Sequence, residues 1–275
     1  MIEFLFWFFL CGLVIACIQD LRRTEVDNWL NTLIFIGGSA FLIFSSIFQA
    51  NYWFLVFGLF SFICLFIISN LMYYGRIFAG GDYRLLIAIF ALFVSSSFIL
   101  ILENIGIFIF LLFLSGSLWG ILLSLFFYLK KSKEVNREMI RIGKKFYFKY
   151  LFLACVLIAF LGIYNFIFLV LSCFILFSFV LFIFTKAIEK EVMIVSLFPN
   201  KLRLGDVLVS DVRVGKRIVK VDWGGLNDKT LGLLKKYKGK IKIKNGIPFV
   251  PAFLIAFLLF WFFKERILEF FQILF

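Results

Sequence analysis

The sequence contains no histidine, which excludes several kinds of catalytic site at once. Serine–histidine and cysteine–histidine catalysis, H-E-x-x-H zinc sites and imidazole metal ligation all need that side chain. The five cysteines lie in apolar runs, and none forms a C-x-x-C pair. A zinc site or a disulfide framework is therefore not expected, and no metal or other cofactor is predicted.

Charged residues are also scarce, at 16% of the 275 residues, whereas 64% of the residues are hydrophobic. A water-soluble domain of this size could not bury so much apolar surface. Runs of about 18 or more apolar residues indicate membrane spans, because about 20 helical residues cross a bilayer core. The first run begins at Met1 without a basic segment or a cleavage site, so we expect it to be retained as a span.

These runs predict an all-α polytopic membrane bundle of about 6–8 transmembrane helices with a small α+β cytosolic domain. The predicted spans are 2–19, 29–48, 52–74, 85–102, 105–129, 150–164, 167–185 and 249–263. The stretch 150–185 as one helix would be about 54 Å long, far beyond a bilayer core of roughly 30 Å. Two helices with a turn near Tyr164-Asn165 are therefore predicted there.

Two basic segments indicate the orientation in the membrane. Segment 130–149 has eight Lys/Arg against two Glu, and segment 186–246 has fifteen Lys/Arg against six acids. Because Lys and Arg accumulate on the cytoplasmic side, both segments should be cytoplasmic, and loops 20–28 and 75–84 should then face the cytoplasm too. Topology and contact with anionic lipid explain the basic charge better than nucleic-acid binding, since no nucleic-acid module is present.

Segment 186–246 has the pattern of a small folded domain. Apolar and polar residues alternate from Leu202 to Asp222, with Gly215-Lys216 as a candidate turn, and residues 238–246 predict another strand. Asn227 is the expected N-cap of a short helix. The predicted organisation is catalytic transmembrane helices (1–129), a basic cytoplasmic loop (130–149), a transmembrane hairpin (150–185), the α+β domain (186–246) and a C-terminal membrane segment (247–275).

Two aspartates lie at positions that mark a candidate functional site. Asp20 ends the first predicted span and Asp82 precedes the fourth, so both should lie at the cytoplasmic edge of the bundle. An ionisable residue at membrane depth is costly and marks a candidate functional site. Gly12 and Ala16 share a helix face with Asp20 and should turn it towards the bundle. Gly80-Gly81 removes side chains beside Asp82, which would let a peptide approach the backbone.

Two carboxylates at one site do not both ionise easily, so one keeps its proton. The charged carboxylate can deprotonate water as a general base, and the neutral one can polarise a scissile carbonyl as a general acid. Such a pair would hydrolyse a peptide without histidine or metal. On pattern alone, an equally good alternative is that Asp20 and Asp82 only pair with Arg22, Arg23 or Arg84 at the interface.

The sequences around the two aspartates resemble a known family. Asp20-Leu21-Arg22 followed by Val26-Asp27-Asn28-Trp29-Leu30 is similar to the first motif of type IV prepilin peptidases and archaeal preflagellin peptidases. The stretch Ala79–Leu86, AGGDYRLL, is similar to their G-x-G-D motif. The resemblance covers roughly residues 1–100, and the stretch 246–253 has a weaker likeness to the terminal span of archaeal members.

This resemblance implies a membrane-embedded aspartic endopeptidase with Asp20 and Asp82 as its catalytic residues. Its substrates would be archaellin or pilin-like precursors, whose short basic leader is removed at the cytoplasmic face of the plasma membrane. The chain departs from the family at Ala79, where a motif glycine is usual, and at Asp27, where many bacterial members have proline. No cysteine-rich N-terminal segment is present, which favours the archaeal type with peptidase activity only.

Two other functions remain possible from the sequence. A presenilin-like intramembrane protease also uses G-x-G-D but would cut within a span. A non-enzymatic transporter or scaffold should show internal repeats, and none is convincing. Glu25 and Asp27 either attract the basic leader or pair with Arg22 or Arg23 on the loop.

Overall fold

The computed structural model describes residues 2–145, 148–160, 166–215, 217–222 and 224–274, which are mostly helical. The helices are α1 (Ile2–Arg23), α2 (Asn28–Phe48), α3 (Trp53–Tyr74), α4 (Gly80–Ala88), α5 (Phe98–Lys130), α6 (Ser132–Lys145), α7 (Phe148–Phe160), α8 (Phe166–Ile188), α9 (Asp228–Leu234) and α10 (Val250–Leu274). The strands are β1 (Ile194–Leu197), β2 (Val207–Leu208), β3 (Val212–Val214), β4 (Arg217–Val219) and β5 (Ile241–Lys244).

Among the described residues, five helices are long and apolar enough to cross a membrane, namely α1, α2, α3, α5 and α8. The prediction of a polytopic helical membrane protein with a small α+β region is thereby confirmed. The described part of α7 has 13 residues. In α10, Lys264, Glu265 and Arg266 follow an apolar stretch that begins at Val250.

The spans predicted at 85–102 and 105–129 are wrong in their boundaries. After α4 the chain forms a short 3₁₀ helix, Phe90–Phe93, and the next helix starts only at Phe98. That helix, α5, runs for 33 residues and passes through the predicted loop at Glu103-Asn104. Asn104 is 9% exposed, so the side chain expected in a loop packs inside the bundle.

The chain forms two compact units, and the division falls within α5. The first unit comprises Met1–Gly120 and Ile247–Phe275, and the second comprises Ile121–Gly246. The core of the first unit consists of apolar side chains from α1 to α5 and α10. Gly12 lets α2 approach α1 closely, since a Cβ at this position would lie 2.9 Å from Ile34.

The second unit contains the small α+β region. A three-stranded antiparallel sheet has the order β1-β5-β2, and β3 pairs with β4 as a separate hairpin. Gly215, in the turn of that hairpin, has a φ of +61°, a conformation that favours glycine. The predicted N-cap is confirmed, because the Thr230 N–H donates to Asn227 Oδ1 at 2.9 Å. Strand β1 was not predicted from the sequence.

The basic segment of the second unit differs from its prediction. The basic segment 130–149 forms the helix α6 over Ser132–Lys145 where a loop was expected. Its apolar side includes Val135, which is fully buried and clusters with Ala187 and Ile188 of α8. The turn predicted near Tyr164-Asn165 lies outside the described residues, as does Lys216 of the Gly215-Lys216 turn.

Candidate active site

Asp20 lies in the last turn of α1 and is 4% exposed. Gly12 and Ala16, at intervals of one helical turn, are buried on the same side of α1. Their small side chains let neighbouring helices come close, so Asp20 faces protein and not the surroundings of the bundle.

The partner of the Asp20 carboxylate is a backbone amide at the start of α10. The Val250 N–H donates to Asp20 Oδ2 at 2.8 Å, and the Phe249 amide also interacts favourably with the carboxyl group. The first amides of a helix have no partner within the helix and carry partial positive charge. The N-terminus of α10 can therefore compensate a negative charge on Asp20.

Asp82 lies in the first turn of α4, a helix outside the five candidate spans. Its Oδ2 accepts a hydrogen bond from the Ala79 N–H at 3.2 Å, so the carboxyl group caps its own helix. Loss of hydration raises the pKa of Asp82 to about 7; the Asp20 charge raises it as well, and the Ala79 N–H acts in the opposite direction.

The effect of Asp20 on Asp82 means that the two sequence-predicted aspartates share one electrostatic site. Their environments differ. Asp20 accepts a hydrogen bond from the Val250 N–H at the start of α10, whereas Asp82 accepts one from the Ala79 N–H, directly before its own helix. Near pH 7 the Asp82 carboxyl group is therefore partly protonated. This arrangement can supply a base and an acid to the same reacting group.

The two glycines before Asp82 differ in their surroundings. A Cβ added to Gly80 would meet no atom within 4 Å, so open space adjoins the start of α4. A Cβ added to Gly81 would lie 3.6 Å from the Val26 backbone nitrogen, an ordinary contact with the loop after α1. Gly80 thus leaves room beside Asp82, and Gly81 packs against the first motif.

Arg84 ties the second motif to the first. Its Nη1 donates to Asn28 Oδ1 at the start of α2, and its Nε donates to Tyr83 Oη at 3.2 Å. Tyr83 in turn packs against Tyr73 of α3, with ring centroids 4.8 Å apart. The sequence had suggested Arg84 only as a possible ion-pair partner of an aspartate, and no ion pair joins it to Asp20 or Asp82 among the described contacts.

The two acids of the loop after α1 lie in different settings. Asp27 Oδ2 is 4.0 Å from Arg23 Nη1 and accepts from Trp29 Nε1 at 3.2 Å. The Asp27 backbone N–H donates to Gln19 Oε1 at 3.0 Å, which ties the loop to the end of α1. Glu25 is exposed. The contacts of Asp27 fit a role in shaping the loop.

Comparison with known proteins finds similarity in the part of the chain that carries both aspartates. Residues 7–130 match the type IV leader peptidase family. The resemblance drawn from the two motifs is thereby confirmed. Among curated proteins, a preflagellin peptidase of Methanococcus maripaludis (strain C6 / ATCC BAA-1332) is 35% identical over 81 residues. That match covers 30% of this chain and 35% of the relative, so it extends over about a third of either protein.

One part of the site was missed from the sequence. Val250 contributes only its backbone N–H, which is present in every residue type except proline, so no residue in the sequence marked it. The stretch 246–253 did show a weak likeness to archaeal family members, and that likeness was the available signal for α10.

Proposed function

We propose that this chain is an aspartic endopeptidase that removes the short basic leader of archaellin or type IV pilin-like precursors. The observation that carries the proposal is that the charge of Asp20 raises the pKa of Asp82, so the aspartates of the two family-like motifs lie close enough to influence each other. The family match over residues 7–130 includes both aspartates and supports peptidase chemistry. The Methanococcus maripaludis relative is a preflagellin peptidase, which supports a precursor of the archaellin type.

In this proposal Asp20 is the general base and Asp82 the general acid. The Val250 N–H compensates the negative charge of an ionised Asp20. Asp82, with a pKa of about 7, keeps its proton below neutral pH and can donate it to the scissile carbonyl oxygen. The difference between the two environments supports this choice of roles.

The reaction follows from these protonation states. Asp20 accepts a proton from a water molecule while the water oxygen bonds to the scissile carbonyl carbon, and Asp82 protonates the carbonyl oxygen. The resulting diol collapses when the proton now on Asp20 passes to the leaving nitrogen and the C–N bond breaks. Asp82 takes a proton back from the diol as the new carboxyl group forms, which restores both aspartates.

The open space beside Gly80 is the proposed approach for the leader, whose extended backbone would lie next to Asp82. The loops that carry the two motifs would face the cytoplasm of the plasma membrane, as the Lys/Arg distribution indicates. The precursor's hydrophobic helix would then lie in lipid with its basic leader at this face. Gly81 would support the motif by its contact with the first-motif loop, and Asp27 would hold that loop through Arg23 and Trp29.

The test is cleavage of leader-bearing precursors by the membrane-reconstituted protein, with the products identified by mass spectrometry. Asp20→Asn and Asp82→Asn should each reduce kcat by at least about 10²–10⁴-fold, the usual contribution of general acid–base groups. An asparagine oxygen still accepts the hydrogen bond that each carboxylate accepts, so both variants should fold. The double variant should be little worse than either single variant, because the pair acts as a unit.

Asp211→Asn is the matched control, because its carboxylate also accepts a backbone N–H, from Val221 at 2.8 Å, but lies in the second unit. It should cleave like the wild type. Near-normal turnover by either single site variant would refute the catalytic pair. Cleavage within the hydrophobic helix would favour a presenilin-like protease, and no cleavage of any precursor would favour a transporter or scaffold.

A further inference from the structure

The backbone N–H that donates a hydrogen bond to Asp20 belongs to the start of α10, where few backbone N–H groups are available as donors. Val250 is fully buried and begins α10, with Pro248 two residues before it and Pro251 directly after it. Proline has no N–H, so the donors at this junction are the amides of Phe249 and Val250. The position of the Asp20 carboxylate therefore depends on where this short backbone stretch is held.

Helix α5 contacts this stretch at three points on one of its faces. Trp119 Nε1 donates to the Pro248 carbonyl oxygen at 2.8 Å, and Ser115 Oγ donates to the Ala252 carbonyl oxygen at 2.9 Å. Gly116 lies against the Phe249 ring so closely that an added Cβ would be 2.8 Å from Phe249 Cε2. The three contacts lie on both sides of Val250.

We propose that α5 is the positioning element for Asp20: Trp119, Gly116 and Ser115 fix the backbone from Pro248 to Ala252, and with it the Val250 amide. The inference rests on the proposed peptidase function, since it explains how that function's base is held. None of the three residues is a catalytic residue, because they act on Asp20 only through the backbone of α10. None of the three residues belonged to the site predicted from the sequence.

The aromatic rings around the junction explain why the position can be fixed so closely. Phe78, which precedes the second motif, packs against Phe249 and Phe253, with ring centroids 5.7 and 5.9 Å apart. The Phe249 ring thus lies between Phe78, in the segment before α4, and Gly116 of α5. A shift of this ring would move the Val250 amide, and the geometry of the base with it.

The first test compares the same substitution, tryptophan to phenylalanine, at two positions. Each variant loses one indole N–H. Trp119→Phe should reduce kcat about tenfold with little change in KM, because a displacement of about 1 Å at a reacting group can cost up to about 10²-fold. Trp53→Phe, at an exposed residue at the start of α3, should cleave like the wild type. Rates are measured well below the Tm of every variant and per folded molecule.

The second test uses two glycines one helical turn apart on α5. Gly116→Ala displaces the Phe249 ring and should reduce kcat at unchanged KM, whereas a Cβ at Gly120 meets nothing within 4 Å, so Gly120→Ala should be neutral. Wild-type kcat in both Trp119→Phe and Gly116→Ala would overturn the inference. A raised KM with unchanged kcat would overturn it as well, because it would indicate substrate contact.

A double-mutant cycle in Tm separates this inference from the proposed function. Because asparagine would keep the hydrogen bond, the cycle uses Asp20→Ala, which removes the acceptor of the Val250 N–H. If Trp119 acts through the Asp20–Val250 contact, Trp119→Phe and Asp20→Ala should have non-additive effects, whereas Trp53→Phe and Asp20→Ala should be additive. Additive effects for Trp119 would overturn the inference. If the wild type cleaves no precursor, the proposed function fails and this cycle alone decides whether α5 positions Asp20.

Discussion

At the scale of single residues, Asp82 caps a helix and, in the proposed function, is also the general acid. Its Oδ2 caps α4 through the Ala79 N–H, and its pKa is raised to about 7. The cap needs only an oxygen acceptor, whereas acid catalysis needs the proton. An asparagine at this position therefore keeps the first task and loses the second, which makes Asp82→Asn an informative variant.

The pKa of Asp82 predicts the pH dependence of catalysis. If Asp82 is the general acid, it must be protonated, so kcat/KM should fall about tenfold per pH unit above pH 7. A profile of kcat/KM from about pH 5 to pH 9 measures this fall. A flat profile across neutral pH would contradict the assignment of Asp82 as the acid.

The same pKa gives a stability readout that does not require activity. The folded protein holds the Asp82 proton more tightly than the unfolded chain, in which the carboxyl group has its ordinary pKa of about 3.9. The contribution of this group to stability should therefore be full below about pH 4 and be lost as pH rises through about 7. In Asp82→Asn this part of the pH dependence of Tm should disappear.

The sequence predicted both aspartates but not the groups that hold them. Gly12 and Ala16 placed Asp20 on an inward face because helical periodicity relates neighbours along one element. The donor at Val250 is 230 residues away along the chain, and nothing local relates the two positions. The Arg84–Asn28 hydrogen bond was closer to prediction, since each residue lies within one of the two recognised motifs.

At the scale of elements, the main error concerned where α5 begins. The apolar run from 85 to 102 predicted one span, and the polar pair Glu103-Asn104 suggested its end. In the structure the break comes earlier, and Ser97 Oγ accepts from the Leu100 N–H at 3.3 Å as α5 starts. Serine is a favoured N-cap residue, so the run of serines at 95–97 was a usable signal. Hydropathy alone did not show it, because both sides of the break are apolar.

The start of α4 gives a prediction about substrate access. Gly80→Ala adds a methyl group where nothing lies within 4 Å, so the folded protein should tolerate it. If the leader passes through that space, the methyl group should lower kcat/KM several-fold for a precursor. Gly106→Ala is the control, because its Cβ also meets nothing within 4 Å but it lies within α5.

Both glycine-to-alanine changes should raise Tm slightly, since alanine is favoured over glycine within a helix by up to about 1 kcal/mol. Only Gly80→Ala should impair cleavage. Equal kcat/KM values for the two variants would show that the precursor does not use the space beside Gly80.

At the scale of the whole molecule, the charge distribution predicts which side of the membrane each segment faces. In a cysteine-free version of the chain, Lys229→Cys in the α+β region should react with an impermeant thiol reagent only after lysis. Gln49→Cys, in the loop after α2, should react in intact cells. Both positions are exposed, so access to the thiol is not limited by the fold. Labelling of Lys229→Cys in sealed cells would reverse the orientation and move the proposed site to the other face.

The hydrogen bond between Asp20 and Val250 has a consequence for biosynthesis. The carboxylate is made early and its amide donor 230 residues later, which at about 5–20 residues per second takes on the order of tens of seconds. A chain still on the ribosome can thus carry both aspartates while Asp20 lacks its amide donor. If the proposed function is right, the chain should cleave no precursor until α10 has been translated and has packed against α5.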